Sequence, residues 1–412
     1  MTFKHRQLDN GLTIIGEIHP QAQTAAMGFF ARTGSRDETP EISGVSHFLE
    51  HMLFKGTDGL NWQQVNEAFD GIGAKFNAFT GEENTVYYAA VLSEFLPEVA
   101  KLWSQLMRPS LREEDFNIEK NVILQEIAMY KDMPQFDVLD QARALHFGSH
   151  PCGNSTLGTE QTIGDLKVGQ MREYFDRRYA SNNLVAAACG NFDFDHFCEL
   201  IASICGSWKP AVAERPLSFY EGTRQKKHIQ KDTLARHHIC MISPMVSMQD
   251  PRRFAASLLG MIIGDDSGSR YFWSLVDPAI AEAASMQAET MDGVGAMYSY
   301  ICCEPAASGK VADIIRGIFM DLSKNGIQGN ELKAAKNKVL SALTIKSEQP
   351  MGRLFGLGFN WVYSRQYRTL AEDIEAVRAV TVADINHLIS EFHPGDFSCL
   401  SMGPQTQETP LF

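Results

Sequence analysis

The chain has no Cys-x-x-Cys pair, no block of basic residues, and no apolar run of the roughly eighteen residues that a membrane span needs. Each absence removes a class of function. Eight cysteines scattered at 152, 189, 198, 205, 240, 302, 303 and 399 form no disulfide framework and read as reduced, mostly buried thiols. Basic residues number 37 against 50 acidic ones, a formal charge of −13, which makes nucleic acid and anionic membrane surfaces poor partners. The same charge draws in a neutral or basic substrate more readily than an acidic one. The first residues, MTFKHRQLDNGLTIIGE, enter an alternating strand pattern without the charged start and apolar stretch of an export signal. A bacterial-type cytoplasmic location is therefore expected, and an organellar protein stripped of its presequence would read the same way.

What is present is 44% hydrophobic content over 412 residues, and single domains usually stay below about 250 residues, so two domains are expected. The periodicity is α+β and runs twice. The first half predicts strands at 12–18 and 25–33, helices at 44–54 and near 63–69, and a strand pair split by a turn at Gly81. Helices at 93–107 and 113–131, a covered strand at 182–191 and a helix near 194–204 complete it. The second half predicts a strand at 237–243, a helix at 252–263, strands at 283–290 and 296–303, helices at 309–324 and 331–346, and a closing strand at 398–403. The segments NVILQEIAMYKDMP and KVLSALTIKSEQP superimpose at a constant offset of 216, with Pro134 matching Pro350. Two copies of one unit are the economical reading. The stretch GSWKPAVAERPLSFYEG has no clear period, and the expected division is a domain at 1–206, a linker at 207–226 and a second domain at 227–412.

The chemistry concentrates in HFLEH, residues 47–51. Histidines at i and i+4 project from one helix face, where both rings reach one ion, and the order His-x-x-Glu-His is that of zinc peptidases of the inverted kind. His47 and His51 are the expected metal residues. Glu50 points beside the metal, where a carboxylate takes a proton from activated water. Zinc peptidases use three protein donors, and the candidate third is Glu126. In the predicted helix at 113–131, Glu119 and Glu126 are seven apart and share a face with Val122, Ile123 and Tyr130. Carboxylates on an apolar face are costly unless they bind something. Glu119 is read as the outer acceptor that fixes a histidine ring.

These residues, together with SGVSHFLEHMLFKGT, KFNAFTGEENTVYY, EKNVILQEIAMYKDMP and HPCGNSTLGTEQTIGDL, resemble the M16 peptidase family, the group of mitochondrial processing peptidase, pitrilysin and insulin-degrading enzyme. The resemblance spans nearly the whole chain. It implies two homologous α/β rolls, each an antiparallel-rich sheet covered by helices in the LuxS/MPP-like metallohydrolase fold. It further implies one Zn²⁺ per chain, and two chains, identical or different, enclosing a chamber in which unfolded peptides are cut. The strand matching KFNAFTG would pair with substrate, placing Asn77 and the backbone of Ala78 against the peptide. Pairing through the main chain accepts any extended peptide.

One departure stands out. Active members carry an Arg and a Tyr in the second half, thought to stabilise the oxyanion, but the matching stretch SLVDPAIAEAAS has Val276 and Ala283 at those places. Arg270, Tyr271, Tyr298 and Tyr300 lie nearby without the right context. This leaves open a zinc-bearing subunit of a heterodimer, inactive alone. A non-catalytic structural subunit of the respiratory-complex type and a peptide-binding chamber are the other readings. Glu82 and Glu83 read as solvated loop charges, and His146 and His150 as structural. The second half binds no metal of its own, because SLLGMIIG replaces the metal helix and Ala342 stands where Glu126 would.

Overall fold

A computed structural model describes residues 1–404. Two compact units emerge, and each gathers three chain segments. The first comprises Met1–Ala128, Asn154–Arg215 and Thr344–Arg368, the second Met129–Gly153, Pro216–Leu343 and Thr369 onward. A single cut at 207–226 therefore does not describe the packing. Residues 129–153 belong with the second unit and 344–368 with the first.

The first unit is built on six strands, β1 (Thr2–Gln7), β2 (Thr13–Ile18), β3 (Thr24–Ala31), β4 (Lys75–Thr80), β5 (Thr85–Leu92) and β6 (Leu184–Gly190), in the order β1-β2-β6-β3-β5-β4. All neighbours are antiparallel except β2 and β6. One face packs on helices that include Val45–Leu53 and Leu96–Leu106, burying Phe29, Phe48, Phe69 and Trp103. The other face, with Ile15, Phe30 and Val185, is covered by Leu354, Leu357 and Val362 of helix Pro350–Ser364. Two covered faces explain why β6, LVAAACG, is buried at every position and reads as a continuous apolar run. Each fully buried side chain such as Phe30 contributes roughly 1.5–3 kcal/mol.

The second unit repeats the plan with β7 (Lys226–Gln230), β8 (His237–Met245), β9 (Ala283–Thr290), β10 (Gly295–Cys303) and β11 (Ser398–Gly403), in the order β7-β11-β8-β10-β9. This is β2-β6-β3-β5-β4 again, down to the one parallel pair, β7 with β11. β1 is the extra strand. The face carrying Cys240, Ile242, Leu400 and Met402 is covered by Val138, Ala142 and Phe147 of helix Pro134–Phe147, the counterpart of Pro350–Ser364. Two α+β units around antiparallel-rich sheets are thus present, as the sequence predicts.

All eight cysteines are buried and none forms a disulfide. His146 is buried, its Nδ1 lies 3.2 Å from Ser398 Oγ, and burial pushes its pKa down to about 4, in keeping with a structural role. Among the described residues no helix is long and apolar enough to cross a membrane.

Candidate metal centre

The first unit assembles the expected residues from three elements. Helix Val45–Leu53 presents His47, Glu50 and His51, helix Glu113–Lys131 presents Glu119 and Glu126, and edge strand β4 lies beside them. In the long helix Phe116, Glu119, Ile123 and Ile127 are buried, whereas Val122, one helical turn from both carboxylates, is 43% exposed. The face expected to be apolar is thus buried at Ile123 and open to solvent at Val122. Helical spacing puts 116, 119, 123 and 127 on one stripe, and Val122 lies to the side of it.

His47 Nε2 is 3.1 Å and His51 Nε2 is 3.6 Å from the same oxygen, Glu126 Oε2. One donor atom from each of the three residues falls within 4.8 Å of the others, the only such group among the described residues. A tetrahedral zinc ion with bonds of about 2.0–2.1 Å needs neighbouring donors roughly 3.3 Å apart, so the spacing fits this ion. Among the described residues of the second unit no such group occurs.

His51 is oriented from behind. Its Nδ1 is 2.8 Å from Glu119 Oε1, which leaves Nε2 facing Glu126. Lys55, one helical turn on, pairs with the other Glu119 oxygen. Burial opposes a charged imidazolium at His51, but the Glu119 hydrogen bond and the Glu126, Glu119 and Glu50 charges outweigh it and raise the pKa. Burial likewise opposes ionisation of Glu119, and hydrogen bonds from His51 and Lys55 overcome it, lowering the pKa. Glu126 is lowered chiefly by its hydrogen bond with His47. Both carboxylates are thus held ionised, the form that binds a cation.

Glu50 lies beside the group, its Oε2 3.9 Å from His47 Nδ1. The same oxygen accepts a 2.6 Å hydrogen bond from the Thr80 hydroxyl, at the end of β4. Thr80 and Lys55 are absent from the sequence reading. The signals were present, since Lys55 follows His51 by one turn and Thr80 ends the strand that carries Asn77. Asn77 and Ala78 lie on β4, which pairs with β5 alone in its sheet. Asn77 Oδ1 accepts from the Ala78 N–H at 2.9 Å, so that edge donor is engaged by its own neighbour.

Glu83 is buried and not a solvated loop charge. Its carboxylate meets Arg36 at 2.6 Å and the Tyr363 hydroxyl at 2.8 Å, while Asp37 meets Arg178 at 2.7 Å and Arg215 at 2.6 Å. These pairs secure the turn between β3 and the helix carrying His47. In the second unit Arg270 is held by Glu331 and Asp321 at 2.7 and 2.9 Å. The hydroxyl of Tyr271 is 3.0 Å from Ser299 Oγ, Arg143 donates to that of Tyr298, and that of Tyr300 is 2.8 Å from His238 Nδ1. Val276 and Ala283 line a cleft of about 760 Å³ that also borders Tyr300, His238 and Glu282.

Known proteins resemble the chain along nearly its whole length. The family described as "Insulinase (Peptidase family M16)" matches residues 13–160, and "Peptidase M16 inactive domain" matches residues 165–339. The chain is 28% identical over 408 residues to the "Uncharacterized zinc protease YmxG" of Bacillus subtilis, covering 98% of both proteins. An "Uncharacterized zinc protease" of Rickettsia felis is 27% identical over 409 residues, again with 98% of each covered. Among solved structures, a protease from Helicobacter pylori matches with a TM-score of 0.90 at 18% identity over 98% of this chain and all of that one. A peptidase M16 inactive domain from Pseudomonas fluorescens matches at 0.88 and 17% identity, with both chains fully covered. The two matched regions follow one another along the sequence, and the curated relatives align end to end: this chain belongs to the M16 peptidase family.

Proposed function

We propose that the chain is a zinc-dependent endopeptidase that cleaves extended or unfolded peptides docked along β4. The observation that carries this reading is the Thr80–Glu50 hydrogen bond, because it ties the edge strand suited to hold a peptide to the carboxylate suited to move a proton. His47, His51 and Glu126 would hold the ion, and Glu119 with Lys55 would fix the His51 ring. When bound, zinc polarises a carbonyl and lowers the pKa of water toward about 7. Glu50 takes the proton from the attacking water and delivers it to the departing amine. Thr80 holds Glu50 in place while this happens. A peptide that adds to β4 displaces Asn77 Oδ1 from the Ala78 N–H, which then donates to the peptide backbone, and the freed carboxamide contacts the peptide.

A second reading has its own support. The side chains of Val276 and Ala283 offer no donor to an oxyanion, and Arg270, Tyr271, Tyr298 and Tyr300 are engaged within their own unit. The chain would then be the zinc-bearing half of a heterodimer whose second M16-like subunit supplies those groups. A quenched fluorescent peptide library, cut by the purified chain, separates the two readings. Cleavage that stops when the backbone amides around the scissile bond are N-methylated supports docking on β4 by a self-sufficient enzyme. Zinc binding without cleavage supports the heterodimer.

A further inference from the structure

The helix that carries His47, Glu50 and His51 cannot cap its own N-terminus. Its first flanking residue is Gly44 at φ +92, and a Cβ there would come within 2.5 Å of Leu157 O. No residue with a side chain fits, so the Ser, Thr, Asp or Asn that normally satisfies the first free N–H groups is excluded at this position. The cap comes from upstream. Glu38 Oε2 accepts from Gly44 N and Glu38 Oε1 from Ser46 N, each at 2.7 Å. Ser46 is held a second time, its Oγ 2.6 Å from the Tyr174 hydroxyl, which is itself 2.6 Å from Thr33 Oγ1. The next residue is His47.

Glu38 is 7% exposed, and burial pushes its carboxyl up to about 8 against the pull of the two amide donors. Keeping a carboxyl in such a place is costly, so its two hydrogen bonds serve a purpose. The opposite end of the same helix is fixed by Glu119 and Lys55 through His51. The helix is therefore clamped at both ends, and its first turn contains His47.

We propose that Glu38 is a positioning residue for the metal centre: it supplies the cap that Gly44 cannot, and so sets the register of His47 and Glu50 against Glu126. This rests on the zinc reading of that site. The test compares the wild type with Glu38→Gln, whose amide sets an N–H donor against one of the two backbone donors. Glu38→Asp is the milder variant should Glu38→Gln fail to fold, and Glu41→Gln, an exposed carboxylate nearby, is the control. Zinc affinity is read by chelator competition, and the visible spectrum of the cobalt-loaded chain reports the donor geometry. The expected result is about tenfold or greater weakening of zinc binding in Glu38→Gln, the range for groups that orient metal ligands, with an altered cobalt spectrum and a fall in kcat at unchanged KM. Glu38→Asp falls between, and Glu41→Gln matches the wild type. A lowered melting temperature with zinc affinity and cobalt spectrum unchanged would overturn the proposal. A wild type that binds zinc tightly but cleaves nothing would sink the reading of a self-sufficient peptidase, favour the heterodimer and leave the zinc comparison standing.

Discussion

Strands β4 and β9 occupy the same place at the end of two sheets with the same order, yet among the described residues only β4 lies beside a candidate metal group. Beside β4 stands a helix bearing His47, Glu50 and His51. Beside β9 stands Arg253–Gly264, whose sequence offers leucines, isoleucines and glycines instead. Gly264 brings that helix so close to β9 that a Cβ would come within 2.0 Å of Met286 N. Glu126 has its counterpart in Ala342. The scaffold is shared and the candidate site sits in a handful of side chains, so a fold-level likeness alone does not identify a peptidase.

The comparison is broken most severely by removing the base. Glu50→Gln is expected to cut turnover by about 10²–10⁴-fold, the usual range for general acid–base catalysis, while zinc content stays at the wild-type value. Next comes the ion itself. Glu126→Gln or a strong chelator is expected to abolish cleavage and bound zinc together, with activity restored in the wild type by added zinc. Thr80→Val deprives Glu50 of a hydrogen bond to a charged group, a loss of about 1.5–3 kcal/mol and roughly tenfold or more in kcat, and Thr80→Ser is expected to restore it.

The second unit responds in the opposite way. Gly264→Ala forces the helix off the β9 backbone and is expected to lower stability by about 1–3 kcal/mol, measured by denaturant unfolding, with zinc affinity unchanged. The smallest effect concerns pH. The folded pKa of Glu38, about 8, lies above the ordinary 4.5, so its stabilising contribution is complete below 4.5 and is lost as pH rises through 8. Thermal melts of the wild type are expected to fall relative to Glu38→Gln over that window.

Much of this plan is legible in the chain. The strand at 283–290, the closing strand at 398–403 and the helix at 113–131 coincide with the structure, because their periodicity is unbroken and their ends are marked. The grouping of His47, His51 and Glu126 is legible from helical spacing together with the need of a zinc site for a third donor. Helices Pro134–Phe147 and Pro350–Ser364 are missed because their prolines mark where the preceding helix stops and equally open a new one at its first position. The second of these also carries Gly352, Gly356 and Gly358, which argue against a helix until Gly358 is seen against the Phe30 ring, where a Cβ would sit at 2.2 Å. Which sheet each helix covers is a tertiary choice that no local pattern encodes, and the linear division at 207–226 fails for that reason. Glu38 and Glu83 are misjudged or overlooked because their burial depends on distant chain segments.

The central claim is that one zinc centre in the first unit performs hydrolysis with Glu50 as its base. Zinc content and peptide cleavage measured on the same sample, for the wild type and Glu50→Gln, test it most directly. The account predicts about one zinc per chain in both and cleavage in the wild type alone. Equal cleavage by the two, or cleavage by a wild type free of zinc, would contradict it.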